Sequence, residues 1–133
     1  MTNFKPAAVI GLAAASLVGL SSAHADPSGK APSQCFNTRD WVGRTMSDDA
    51  KTMYVRTGRR SIYKLEFASA CRAAQDIGSH LVIRTHGGSM VCSPLDLDLR
   101  ASVGRGMAVP CIVSTITPLS PEEASALPKG LRP

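Results

Sequence analysis

The chain has 133 residues, with 15 Lys and Arg against 10 Asp and Glu, a formal charge of +5, and three histidines and four cysteines. That length holds one domain with a modest core, and leaves no room for a second. The basic residues are scattered rather than gathered in a stripe with interleaved aromatics, so the composition argues against a nucleic-acid binder.

The N-terminus comes first. Lys5 supplies a short positive region, Ala7 to Leu20 is an uncharged apolar run, and Ser21-Ser22-Ala23-His24-Ala25 ends in small residues with Ala23 and Ala25 in an A-x-A arrangement. This is the pattern of a secretory signal, with cleavage expected after Ala25. The run is short for a membrane span and carries Gly11 and Gly19 inside it. No later stretch is apolar enough to serve as a transmembrane segment. The expected division is a signal peptide over 1–25, a flexible lead-in over 26–34, a β-rich domain over 35–127 and a C-terminal tail over 128–133. The expected location is periplasmic or secreted.

Export bears on the cysteines. Cys35, Cys71, Cys92 and Cys111 form an even set in a small exported domain, which reads as a disulfide framework. Three pairings are open. Cys92 and Cys111 both lie on or beside predicted strands in the C-terminal half, which favours Cys92 with Cys111 and leaves Cys35 with Cys71. The lack of any C-x-x-C pair speaks against zinc.

Along the chain, Cys35 to Arg44 alternates around Phe36 and Trp41, and Ser47-Asp48-Asp49 reads as a turn. Lys51 to Thr57 reads as a strand, Gly58-Arg59-Arg60 as a turn and Ser61 to Phe67 as a returning strand. Its alternation puts Tyr63, Leu65 and Phe67 on one face and Ile62, Lys64 and Glu66 on the other. Ala68 to Ile77, rich in alanine, predicts a short helical turn that Gly78 ends. His80 to Thr85 reads as a strand, and Gly87-Gly88 as the tip of a hairpin that returns through Ser89 to Cys92. Leu95 to Arg100 alternates strictly, predicting a strand with three leucines inward and three charges outward. Ala101 to Met107 reads as a loop. Val109 to Thr117 reads as one central strand, apolar on both faces. Ser120-Pro121-Glu122-Glu123 is the strongest local signal: a capping serine, a proline at the first helical position and a glutamate that completes a capping box. The fold class expected from these elements is mainly β: a small antiparallel curled sheet or barrel-like sandwich of five to six strands, with one or two short helices and disulfide staples.

Candidate chemistries are sparse. His86-Gly87-Gly88-Ser89 superficially matches an esterase oxyanion segment, but there is no Gly-x-Ser-x-Gly elbow to go with it. Ser61-x-x-Lys64 falls on a predicted strand, where residues three apart point to opposite faces. No pair of carboxylates stands out for glycosidic chemistry. His80, His86 and Asp96 offer two imidazoles and a carboxylate, a donor set for a divalent metal. Arg56, Arg59 and Arg60 gather around one turn as a possible anion or partner contact.

Several segments taken together carry a resemblance. They are Cys35-Phe36 with Arg39-Asp40 and Trp41; Asp48-Asp49; Tyr63-Lys64-Leu65 leading to Cys71; Val91-Cys92-Ser93-Pro94-Leu95-Asp96; Pro110-Cys111-Ile112; and Pro118-Leu119 with Glu122-Glu123-Ala124. In this order they resemble a family of small exported proteins of Gram-negative bacteria that is catalogued only as a domain of unknown function. The resemblance covers Cys35 to Leu127. It implies a periplasmic or envelope-associated location and transfers no catalytic residue.

The leading expectation is therefore a non-enzymatic binding or interaction module with no cofactor, acting on a protein, a peptide or an envelope polymer. A small hydrolase or metal-dependent protein using His80, His86 and Asp96 is the alternative. A redox factor is a third reading, and the missing C-x-x-C weighs against it.

Overall fold

The computed structural model describes residues 33–76 and 78–133. The expected signal peptide, and the lead-in up to residue 32, lie outside the described residues. Ten regular elements follow in order: β1 (Phe36–Asn37), β2 (Trp41–Met46), β3 (Thr52–Thr57), β4 (Ser61–Phe67), β5 (Ser79–Thr85), β6 (Met90–Val91), β7 (Leu97–Val103), β8 (Val109–Pro110), β9 (Val113–Pro118) and α1 (Pro121–Ala126). Short 3₁₀ turns lie at Thr38–Asp40, Arg72–Ala74, Pro94–Asp96 and Lys129–Leu131. Among the described residues no helix is long and apolar enough to cross a membrane.

The strands form three separate antiparallel sheets with the orders β2-β3-β4-β9, β5-β7-β8 and β1-β6. This corrects the expectation of a curled sheet or barrel-like sandwich of five to six strands. The sheets stay open, and three of the strands are only two residues long. The reason is visible where the chain passes from β8 to β9. Cys111 N donates to Leu99 O in the three-stranded sheet, while the next carbonyl, Ile112 O, accepts from Ala68 N beside the four-stranded sheet. Pro110 has no N–H to continue a ladder. The predicted single strand over Val109 to Thr117 is thus two strands in two sheets. Its C-terminal part is an edge rather than a centre, and Ile112 between them is 60% exposed.

Side-chain burial joins what the ladders leave apart. Met53, Val55, Tyr63, Leu65, Phe67 and Val113 from one sheet share a core with Leu97, Leu99 and Ala101 from another, and with Phe36 and Val91 from the third. The alternation expected for Ser61 to Phe67 is present, with Tyr63, Leu65 and Phe67 buried. In β7 the rule applies only from Leu97 onward. Leu95 belongs to the preceding 3₁₀ turn and is 86% exposed. Pro94 at the first position and the Asp96 carboxylate, which accepts from Cys92 N at 2.9 Å and Ser93 N at 2.8 Å, wind that segment before it can extend. β7 then runs through Val103, into the segment expected as a loop.

Two further expectations change. Gly87 and Gly88 do take positive φ, at 85° and 128°, but they close no hairpin. β5 pairs with β7, and β6 pairs with β1, so the turn carries the chain between sheets. The bridges are Cys35–Cys92 and Cys71–Cys111, not Cys92–Cys111 and Cys35–Cys71. The pairing of β1 with β6 brings Cys92 to Cys35. Cys111 sits at the crossing between sheets, above the loop in which Cys71 N donates to Ala50 O.

The C-terminal helix forms as its residues predict. Ser120 Oγ accepts from Glu123 N at 3.2 Å, and the Glu123 carboxylate accepts from Ser120 N at 2.8 Å. The segment beyond it returns to the four-stranded sheet, where Thr45 donates its hydroxyl to Leu131 O.

Candidate functional site

Residues from three parts of the chain line an open cleft of about 500 Å³: the arm from Ser33 to Asp40, the β3–β4 turn and Met90 of β6. Its volume is within the range of small-ligand sites. The floor is aromatic. Phe36 and Tyr63 are both buried, with ring centroids 4.8 Å apart, and Trp41 meets Phe36 edge-on at 6.2 Å. The rim is polar, with Asn37, Asp40, Arg59 and Ser61, and Met90 adds an apolar side chain that is half exposed.

Local chemistry holds the arm in place. Asn37 caps the 3₁₀ turn, its Oδ1 accepting from Arg39 N at 2.9 Å. Gly58 N donates to Asp40 O at 2.7 Å, and Thr38 N to Ser89 O at 2.9 Å. The Tyr63 hydroxyl lies within donating distance of two arm carbonyls, Ser33 O at 2.9 Å and Cys35 O at 3.1 Å. Burial pushes that phenol pKa up, which keeps it a neutral donor. The Cys35–Cys92 bridge anchors the arm covalently.

The three arginines expected to act together do not all line this cleft. Arg59 lines the cleft, whereas Arg60 is exposed and does not line it. Arg56 lies on the opposite face of β3 from buried Val55 and Thr57, over Gly43, where an added Cβ would stand 3.6 Å from its guanidinium. Its Nε is buried and finds no hydrogen-bond partner among the described residues.

His80, His86 and Asp96 do not assemble either. His80 is exposed on β5, and His86 follows its far end, about 20 Å along the strand at the usual rise per residue. The Asp96 carboxylate is occupied by two backbone N–H groups, which hold its pKa below the usual carboxylate range. Among the described residues no group of three or more His, Cys, Asp or Glu side chains is placed to hold a metal ion. All four cysteines are bridged.

Sequence reading missed Asp40, Asn37 and Met90 as companions of Arg59. Asn37 carried a readable signal as a capping residue before Arg39. Nothing local announced that Met90 would reach the same cleft, because that depends on the pairing of β6 with β1. A second concavity of about 570 Å³ lies between the β2–β3 turn and the C-terminal segment, against Tyr54, Pro128 and Leu131.

No curated protein and no solved structure matches the chain. Residues 3–132 match a sequence family described as a family of unknown function, DUF6491, and the chain belongs to that family.

Proposed function

We propose that this protein is an exported, envelope-associated binding module that takes an extended chain, peptide or polymer, into the cleft between the aromatic arm and the β3–β4 turn. The observation that carries this reading is the build of the cleft: an aromatic floor under a polar rim, with Asp40 and Arg59 on the rim to orient a ligand. Among the described residues the cleft lining holds no histidine, and Cys35 within it is bridged. Export is supported by the N-terminal pattern and by two bridges that suit an oxidising compartment.

The test is photo-crosslinking in the bacterial envelope. A photoreactive residue replaces Ser61 on the rim, with exposed Thr115 on β9 as the control position. The expected result is a discrete adduct from position 61 that the control does not give. An absence of adducts from the rim, or the same adducts from both positions, would sink the cleft as a binding site. The intact mass of the same preparation checks export, since cleavage after Ala25 leaves Asp26 as the first residue.

A further inference from the structure

Among the described residues, the long edge of the three-stranded sheet has no partner strand. β5 pairs with β7 over seven consecutive residues without a bulge, from Ser79 opposite Val103 to Thr85 opposite Leu97, and no described strand pairs with its other side. In an antiparallel ladder, successive residues send their backbone groups alternately to the two sides. His86 N donates to Asp96 O at 3.0 Å, just past the end of the ladder, which assigns the even-numbered residues of β5 to the bonds with β7. Cys111 N donating to Leu99 O on the far side of β7 gives the same parity. Leu81, Ile83 and Thr85 therefore turn their N–H and C=O groups outward. At the head of this edge the Ser79 carbonyl is taken by Arg44. Among the described residues no hydrogen bond reaches the outward groups of the other three.

The outer strands of the four-stranded sheet are blunted where this one is not. β2 is broken by a bulge between Trp41 and Gly43, and β9 ends in Pro118 and packs beside the Pro94–Asp96 turn. β5, Ser-His-Leu-Val-Ile-Arg-Thr, has neither proline nor lysine. Proteins that stay monomeric usually protect a regular edge of this length.

Charge selects the occupant. The exposed face of β5 carries His80, Val82 and Arg84. Asp98, directly across from Arg84, is bonded instead to Arg100 at 3.3 Å, so Arg84 makes no ion pair among the described residues. A second copy paired about Val82 would set Arg84 against His80 of its twin, with no opposite charge to meet either, in a chain of formal charge +5. We propose that the β5 edge receives an extended acidic segment of a partner protein by strand addition. Its backbone bonds to Leu81, Ile83 and Thr85, its carboxylates face Arg84, and its alternate apolar side chains extend the half-buried row of Leu81 and Ile83. This surface is separate from the cleft, so either proposal can fail without the other.

The probe is the heptapeptide Glu-Val-Glu-Ile-Glu-Val-Glu, with its lysine counterpart as control, followed by fluorescence anisotropy and amide hydrogen exchange. The acidic peptide is expected to bind about tenfold more tightly than the basic one and to slow exchange at the Leu81, Ile83 and Thr85 amides. Arg84→Glu should reverse the preference. Thr85→Pro removes an outward N–H that the β7 ladder does not use, and should weaken binding while the melting transition stays cooperative. Arg84→Glu keeps the test decisive if the proline variant fails to fold. Equal binding of the two peptides, no binding, protection confined to other amides, or a doubling of mass without peptide would each overturn the proposal.

Discussion

Arg44 on β2 grips Ser79 at the head of β5: one guanidinium nitrogen donates to both the Ser79 carbonyl and the Ser79 hydroxyl, at 2.9 Å each. The second nitrogen reaches the Ala74 carbonyl at 3.2 Å. Among the described residues no ladder joins these two sheets, so this fork is a polar tie across the gap between them. Partial burial lowers the guanidinium pKa, and its partners are oxygens.

Arg44→Met should therefore destabilise the fold by about 2–3 kcal/mol, because charged donors are lost from two carbonyls and a hydroxyl that sit away from bulk water. Arg44→Lys should recover only part of this, since one ammonium cannot span Ser79 and Ala74 as a planar fork does. Urea unfolding midpoints decide the matter. An Arg44→Met variant as stable as the parent would show the tie to be dispensable.

The two bridges should differ in reducibility. Cys71 and Cys111 are 5% and 3% exposed, whereas Cys92 lies open to solvent. Thiolate attack requires access to a sulfur. Limited reduction under native conditions, followed by alkylation and mass mapping, should label Cys35 and Cys92 while Cys71–Cys111 stays joined. Removing the buried bridge by Cys71→Ala with Cys111→Ala should cost about 2–5 kcal/mol. Simultaneous labelling of all four cysteines would contradict this order.

Ala50 makes an unusual turn residue, since it is fully buried and holds φ at 58°. Its N–H donates to Ser47 O, and its carbonyl accepts from Cys71 N at 2.8 Å, so the β2–β3 turn leans on the loop that carries the buried bridge. Glycine would relieve about 1–2 kcal/mol of left-handed strain but lose a buried methyl worth about 0.8 kcal/mol and some chain entropy. Ala50→Gly should thus stay within about 1 kcal/mol of the parent in thermal melts. Ala50→Val, which adds bulk and β-branching at the same φ, should destabilise by about 3 kcal/mol.

Asp96 ties stability to acid. The N–H of Cys92, then that of Ser93, favour its ionised form and lower its pKa in the folded state. A carboxyl depressed on folding contributes its full stabilisation above its unfolded value, near pH 4, and loses it as pH falls through the lower folded value. Asp96→Asn should melt below the parent at pH 6, and the gap should close only below about pH 4. A gap that stayed constant down to pH 2 would mean that the carboxylate charge is not what holds the Cys92–Asp96 turn.

What could be read in advance was local. The alternation in Ser61 to Phe67 marks a half-buried strand wherever it packs, and Ser120-Pro121-Glu122-Glu123 closes its capping box with its own atoms. Apolar alternation also marked Leu97 and Leu99 as core, but it could not exclude Leu95, because a proline and one carboxylate wound that residue into a turn. Which strands pair, and hence which cysteines meet, was settled only in three dimensions. A β-ladder is completed by whichever edge arrives, and the edge that met β1 came from more than fifty residues away. The same long-range pairing put Met90 in the cleft with Arg59, and among the described residues no strand came to meet the outward amides of β5. Positions in a sequence state what a backbone group can do. Only the packed chain decides which of those groups are already satisfied.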